Sequence, residues 1–442
     1  MKRLLGEAGF FAYLNALNQP YTRALRVNLL LRPDGTPPCP IEGLDAPVPW
    51  AKGAYFVEGD ARPGLSPLHE GGLFYMQEPS ALTAVTALDP QPGERVLDLC
   101  DAPGGKSTQI AALMAGRGLL CCNEPIPSRA QILSRNIERM GVRNAVVLSA
   151  MPDALAPRFP AFFDRILVDA PCSGEGMFRR QPEARDEWDA DAPRRCADRQ
   201  MEILAQAAKM LRPGGTMVYS TCTFNDTENE GVLKRFLALH PEFSLVPFAL
   251  PGLPEAKDGY LHLYPHEMRG EGHFVSRLKK ADGADEADAP VQAAPQRKAP
   301  ARAAAKGKAP APIALPDVFS DAFAPERLYT AGDALWMLPE GISIERLSGL
   351  RVLRTGLLLA HAEGKRSEPD HALAMALRPE EAARTASLTQ AQALAYQAGE
   401  TLSLGDLPGG YTLLCCEGVS LGWGKQAGDL MKNHYPKGLR RR

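Results

Sequence analysis

At 442 residues the chain is long enough for two or three domains, each burying a core of its own. Its 45% hydrophobic and 23% charged content is ordinary for a globular protein, and a net charge of −2 rules out a bulk polycation while leaving room for a basic face. No apolar run approaches the roughly 18 residues that span a bilayer, and the opening residues reach Glu7 too early for a secretory segment. Nine cysteines, without framework spacing or a Cys-x-x-Cys pair, argue against a disulfide scaffold and a structural zinc site. These bounds point to a cytoplasmic protein with no membrane segment and no metal.

Residues 1–70 read as a small mixed domain. Leu4, Phe10, Phe11, Leu14 and Leu17 have helical spacing, Ala24–Leu31 alternates like a strand, and the stretch from Arg32 to Pro67 is rich in turn residues. From about residue 71 to 280 helix and strand patterns alternate. A helix opened by Pro79 and Ser80 precedes a strand over Arg95–Cys100, a glycine turn and a helix through Ala115. A strand over Leu119–Cys122, a helix from Ser128 to Met140 and a strand over Ala145–Leu148 follow. Next come a strand over Phe163–Val168, a helix from Ala197 to Leu211, a strand over Thr216–Thr223 and a helix from Glu228 to His240. A last strand is expected over Phe274–Leu278. Such alternation implies right-handed crossovers and a doubly wound, Rossmann-like α/β sheet, here of seven strands. Residues 281–312 are Ala, Pro, Lys and acid with almost no bulky apolar side chain, and read as a flexible linker. Residues 313–442 read as a compact α+β module with short strands, Val352–Arg354 among them. Its end is basic, with Lys432, Lys437, Arg440, Arg441 and Arg442.

Two cysteines stand apart from the rest. Cys172 follows the Val168 strand in Asp169-Ala170-Pro171-Cys172-Ser173-Gly174-Glu175-Gly176, and Cys222 follows the next strand in Ser220-Thr221-Cys222-Thr223. Open α/β sheets bind ligands at the carboxyl edge, where both lie. A lone cysteine is usually an inert core residue, and Cys39, Cys100, Cys121, Cys122, Cys196, Cys415 and Cys416 are read that way. A free thiol is only a few per cent thiolate near neutral pH. Lys106 would raise that fraction, whereas Asp169 would repel a thiolate and is expected to hydrogen-bond substrate. The turn from Cys100 through Asp101, Ala102, Pro103, Gly104 and Gly105 to Lys106 is neither a P-loop nor a G-x-G-x-x-G fingerprint. Its glycine pair, with Glu124 at the next strand end, fits adenosine with a carboxylate on the ribose hydroxyls. Asp153 either meets the adenine amino group or caps a helix.

These stretches, together with Tyr75-Met76-Gln77-Glu78-Pro79-Ser80-Ala81 and Arg26-Val27-Asn28, resemble the Nop/Sun family of RNA cytosine-5 methyltransferases. The likeness is greatest to its bacterial RsmF-type members acting on ribosomal RNA. It covers residues 1 to about 280, and the ending from Gly422 to Gly438 resembles the PUA-like RNA-binding part of those enzymes. Asp101 is a departure, because the family more often has a small residue there. The resemblance implies S-adenosyl-L-methionine bound by Cys100 to Lys106 with Glu124, Arg129, Asp153 and Asp169. It implies Cys222 as nucleophile toward carbon 6 of cytosine, Cys172 as the residue that releases product, and Asp169 and Lys106 as further catalytic residues. Carbon 5 is a poor nucleophile until a thiolate adds at carbon 6, and a base inside a duplex is out of reach, so a single-stranded or flipped target follows. The expected function is thus methylation of small-subunit ribosomal RNA by a monomer that grips RNA through phosphates. A transfer-RNA enzyme of the same mechanism and a non-catalytic RNA-binding assembly factor are the alternatives.

Overall fold

The computed structural model describes residues 1–100, 102–181, 183–283, 313, 317–319, 325–363 and 366–441. Asp101, Arg442 and the linker from residue 284 onward lie outside the described residues.

Strand residues of the central sheet alternate between two cores, which is why their sequences read as continuous apolar runs. Val96, Leu120, Cys122, Val147, Leu167 and Val218 face one core. Leu97, Cys121, Val146, Ile166, Met217 and Tyr219 face the other. Leu82–Leu88, Gly105–Leu113 and Pro127–Arg139 supply helical residues to the first core, and Ala192–Met210 and Glu230–Leu239 to the second.

Across the sheet the order is Phe243–Leu245, His273–Lys280, Leu211–Thr221, Phe163–Asp169, Arg95–Asp98, Leu119–Asn123, Ala145–Leu148 and Val352–Arg354. The five inner strands are parallel, and His273–Lys280 runs antiparallel beside Leu211–Thr221. This is the doubly wound, Rossmann-like arrangement expected from the alternation of elements. Chain order reverses between Arg95–Asp98 and Phe163–Asp169, and a crevice opens at such a switch point.

The sheet has nine strands among the described residues, not seven. Phe243–Leu245 and Tyr260–Leu263 share one edge of His273–Lys280 end to end, dividing a single position between two short strands. The other addition is Val352–Arg354. Expected inside the C-terminal module, it instead pairs antiparallel with Ala145–Leu148. A strand of three residues has no periodicity to reveal its partner. Asp169 also differs from expectation. It is the last residue of its strand, opposite Ser220, rather than the first of the loop.

The N-terminal helix Lys2–Leu17 leads into an antiparallel sheet ordered Leu44–Pro47, Ala54–Val57, Arg23–Val27 and Phe74–Gln77. The Arg26-Val27-Asn28 stretch joins this sheet to the central one. Buried Arg26 donates to Thr108 Oγ1 at 2.8 Å and Gly105 O at 3.3 Å, and Asn28 Nδ2 donates to Gly72 O and Met140 O. Residues 325–441 form two further four-stranded sheets. They dock on both preceding regions. Arg143 donates to Ala376 O at 2.9 Å and Glu381 Oε1 at 3.0 Å, and Arg441, in the basic C-terminal end, donates to Ser66 O at 2.9 Å.

Arg354 carries a buried tie. Its guanidinium is nearly inaccessible and meets Glu138 at 2.5 Å, while burial pushes the Glu138 carboxyl up against the opposing pull of Arg354. Arg354→Met leaves that carboxylate without its buried partner, a cost of about 3 kcal/mol. Urea unfolding is expected to show this loss. The double variant Arg354→Met with Glu138→Met should recover much of it.

Candidate active site

The carboxyl ends of Phe163–Asp169 and Leu211–Thr221 place two short loops side by side. In-register pairing of Asp169 with Ser220 sets their height, and Ala170 N donates to Ser220 O at 2.9 Å. Loops without a ladder must satisfy their backbone by other means. Gly176 N donates to Cys222 O at 2.8 Å, and a Cβ on Gly176 would stand 2.8 Å from that same oxygen, so only glycine lets the loops approach this closely. Glu175 Oε2 accepts from Phe224 N at 2.9 Å and Asn225 N at 3.1 Å. The outcome is a Cys172 Sγ–Cys222 Sγ separation of 3.3 Å.

Both thiols open onto a cavity of about 1050 Å³. Its wall includes Cys100, Ala102, Glu124, Arg129, Asp153 and Asp169, so most residues assigned from sequence to cofactor and catalysis meet there. Glu124 is buried, accepts from Ile126 N at 2.9 Å and lies 3.5 Å from Arg129, whose guanidinium also donates to Ala102 O at 3.0 Å. Pro103, Gly104 and Gly105 do not line the wall. They form the turn behind it, where Gly104 takes φ of 109° to cap helix Gly105–Leu113 and Pro103 O accepts from Asn136 Nδ2 at 2.8 Å. Asp101 lies outside the described residues. Cys196, read as inert from sequence, also lines the cavity, as do Met177, Trp188 and Arg199. All nine cysteines are free, and no group of three or more His, Cys, Asp and Glu among the described residues is placed to hold a metal. No helix among them is long and apolar enough to cross a membrane.

Lys106 does not approach as a free cation. Its Nζ lies 2.7 Å from Asp169 Oδ2, while Ser220 Oγ donates to Asp169 Oδ1 at 2.7 Å. His273 Nε2, from the antiparallel strand, is 3.4 Å from the same Oδ1. Burial by itself would raise the Asp169 carboxyl, but the Lys106 ammonium and His273 overcome it and hold the group well below the usual carboxylate range. A carboxylate acceptor therefore faces the cavity beside the thiols. The Cys172 thiol is pushed well above its ordinary value by its hydrogen bond to Cys222, by burial and by the charges of Cys222 and Glu228.

Several residues of this centre have no mark in the sequence. Buried Glu271 takes both Arg179 nitrogens at 2.7 Å and Thr22 N at 3.1 Å, fastening the end of the Cys172 loop to the N-terminal region. His273 and Glu228 likewise stand outside the motifs quoted for the site. The Glu-Asn-Glu run at 228–230, close after Cys222, is the one signal that reaches any of them.

The Asp169 assignment has a pH consequence. A depressed carboxyl contributes stability above its unfolded value and loses it only as pH falls through the lower folded value. Lys106→Met removes the largest downward pull and leaves burial acting, so protonation occurs at higher pH. The acid limb of the catalysed rate, followed between about pH 5 and 8, is expected to move upward in this variant. Cofactor affinity measured separately distinguishes this from lost binding.

Models of four known protein regions match the chain. They are 16S rRNA methyltransferase RsmB/F at residues 85–279, the N-terminal domain of 16S rRNA methyltransferase RsmF at 1–79, the RsmF rRNA methyltransferase first C-terminal domain at 316–377, and the methyltransferase RsmF PUA domain at 383–441. Ribosomal RNA small subunit methyltransferase F of Erwinia tasmaniensis is 33% identical over 99% of this chain and 95% of its own length. Its namesake in Klebsiella pneumoniae is 34% identical over 97% and 92%. A methyltransferase homologue from Pyrococcus horikoshii superposes with a TM-score of 0.51 at 29% identity, covering 63% of this chain and 97% of its own. NSun6 from the same organism, crystallised with the S-adenosylmethionine analogue SFG, shares the fold at a TM-score of 0.54 and 22% identity, over 64% of this chain and 97% of that one.

Proposed function

The chain belongs to the RsmB/F family of 16S rRNA methyltransferases, and from that membership we propose that it methylates carbon 5 of cytosine in 16S ribosomal RNA. The observation that carries this reading is the pair of thiols 3.3 Å apart on one cavity. A binding factor that kept only the fold would have no use for two sulfurs, an ionised aspartate and a lysine converging on one point. We infer four regions, 1–70, 71–280, 281–312 and 313–442, of which the second holds the chemistry and the first and last grip RNA. Nine free cysteines fit a reducing cytoplasm, and we take the chain to act as a monomer.

The residues present suit S-adenosylmethionine. Glu124 offers a buried carboxylate at the end of the second strand, where ribose hydroxyls need an acceptor, and Asp153 stands at the start of a helix on the same wall. Cys100, Ala102 and Asp169 line the side toward the thiols. When bound, the cofactor supplies an electrophilic sulfonium methyl group.

The remaining work falls to the chain. Cys222 adds as thiolate to carbon 6 of a cytosine turned out of its stack, making carbon 5 an enamine carbon able to accept the methyl group. Asp169, kept ionised and oriented by Lys106, Ser220 and His273, accepts a hydrogen bond from the amino group at the base edge and so orients the ring for attack. Cys172 assists loss of the carbon-5 proton and departure of product.

Incubation of the protein with 16S rRNA or small subunits and labelled cofactor, followed by bisulfite mapping, tests the assignment. Incorporation confined to cytosine supports it, and absence of incorporation, or methyl groups on another base, would overturn it. Cys222→Ala is expected to abolish incorporation. Cys172→Ala should instead accumulate a covalent protein–RNA adduct, seen as a retarded band under denaturing conditions.

A further inference from the structure

We propose that Glu228 is the positioning residue of the release half-reaction, fixing Cys172 beside Cys222 for removal of the carbon-5 proton; this rests on the two-thiol reading above. Glu228 is fully buried at the start of the turn that leads into helix Glu230–Leu239. Its carboxylate accepts from Ser173 N at 3.0 Å, Ser173 Oγ, Asn225 Nδ2 at 2.8 Å and Gln200 Nε2 at 2.9 Å. The same Gln200 nitrogen donates to Pro171 O at 3.0 Å. The Tyr219 hydroxyl lies 2.9 Å from Gln200 Oε1 and 2.6 Å from Glu228 O. Both chain neighbours of Cys172 therefore hang on this network, while Asn225 and Tyr219 belong to the strand and loop that carry Cys222. Four donors from three elements converge on two oxygens, a demand that neither an amide nor an apolar side chain can meet.

The carboxylate that fastens the loops also bears on the proton of Cys172. Burial pushes the Glu228 carboxyl up, and the Ser173, Asn225 and Gln200 hydrogen bonds pull against that rise. Its negative charge opposes ionisation of Cys172, as does the hydrogen bond to Cys222. The other titratable or charged groups facing Cys172 are Tyr219 on the neighbouring strand, Asp169 on its own strand, and Cys196 and Arg199 on the long helix. With Cys222 free, Cys172 is thus held as a thiol and does not compete as nucleophile. Once Cys222 Sγ is bonded to carbon 6, its share of the opposition is gone, and Cys172 can lose its proton to solvent.

The Cys172 thiolate then takes the carbon-5 proton. The carbon–hydrogen pair forms the carbon 5–carbon 6 double bond, the bond from carbon 6 to Cys222 Sγ breaks, and that electron pair returns to Cys222. No further reagent is required. Glu228 sets both the distance over which the proton moves and the pH at which Cys172 can receive it.

Full-length Glu228→Gln, checked for folding by circular dichroism, tests this with RNA and S-adenosylmethionine. We expect covalent adduct to accumulate, single-turnover methyl transfer to fall less than about 3-fold, and steady-state turnover to fall at least about 30-fold. The pH profile of release should move to lower pH, because a negative charge facing Cys172 has gone. A purely structural fastening would lower transfer and release together and leave the release profile in place; that result overturns the proposal. Should Glu228→Gln not fold, Ser173→Ala, which removes one donor, is expected to show the same bias at smaller size, and an unbiased Ser173→Ala overturns it as well. Failure of the two-thiol reading shows up separately, as missing incorporation by the unsubstituted protein or a missing adduct with Cys172→Ala.

Discussion

Everything at this centre depends on two sulfur atoms being held 3.3 Å apart by two loops that have no sheet ladder of their own. Parallel pairing brings the strand ends to one height, but it stops at Asp169 opposite Ser220. Beyond that point the loops are fixed by a glycine that allows backbone contact and by buried carboxylates that accept the unpaired N–H groups. Buried Glu228 and Glu271 each take donors from more than one segment, and half-buried Glu175 takes the backbone N–H groups of Phe224 and Asn225. Buried acids are costly unless fully hydrogen-bonded, so their concentration here identifies a place where position is worth more than stability.

Charge is sorted as carefully as position. Asp169 is driven to stay ionised by Lys106 and His273, whereas Cys172 is driven to stay protonated by Cys222 and Glu228. A carboxylate and a thiol on the same short stretch are thereby pushed apart in protonation state by environment alone. The two loops share these partners, so geometry and electrostatics cannot be altered independently.

The C-terminal region is part of this scaffold. Val352–Arg354 extends the catalytic sheet at Ala145–Leu148, and Ser149 N donates to Arg351 O at 2.9 Å, shortly before the turn that carries Asp153. The wall assigned to adenine thus rests on a strand contributed from far along the chain. The N-terminal region braces the opposite side through Arg26, which sits behind the glycine turn. The N-terminal contact runs from the Arg26 side chain to Thr108 Oγ1 and Gly105 O, whereas the C-terminal one is strand pairing, which leaves no pattern in side-chain types.

By itself the sequence determined the alternation of elements, the sheet class, the glycine turn and the two cysteines at strand ends, because apolar periodicity and turn residues act over a few positions. It also carried the residues that mark the family, and with them the grounds for proposing Cys222, Cys172, Asp169 and Lys106 as site residues. Only the tertiary structure decided that the edge strand Val352–Arg354 joins the catalytic sheet, that Arg441 turns inward to Ser66, and that Glu271, His273 and Glu228 belong to the centre. The physical reason is range. A hydrogen bond between residues hundreds of positions apart depends on where the backbone has been carried, and local pattern holds no record of that.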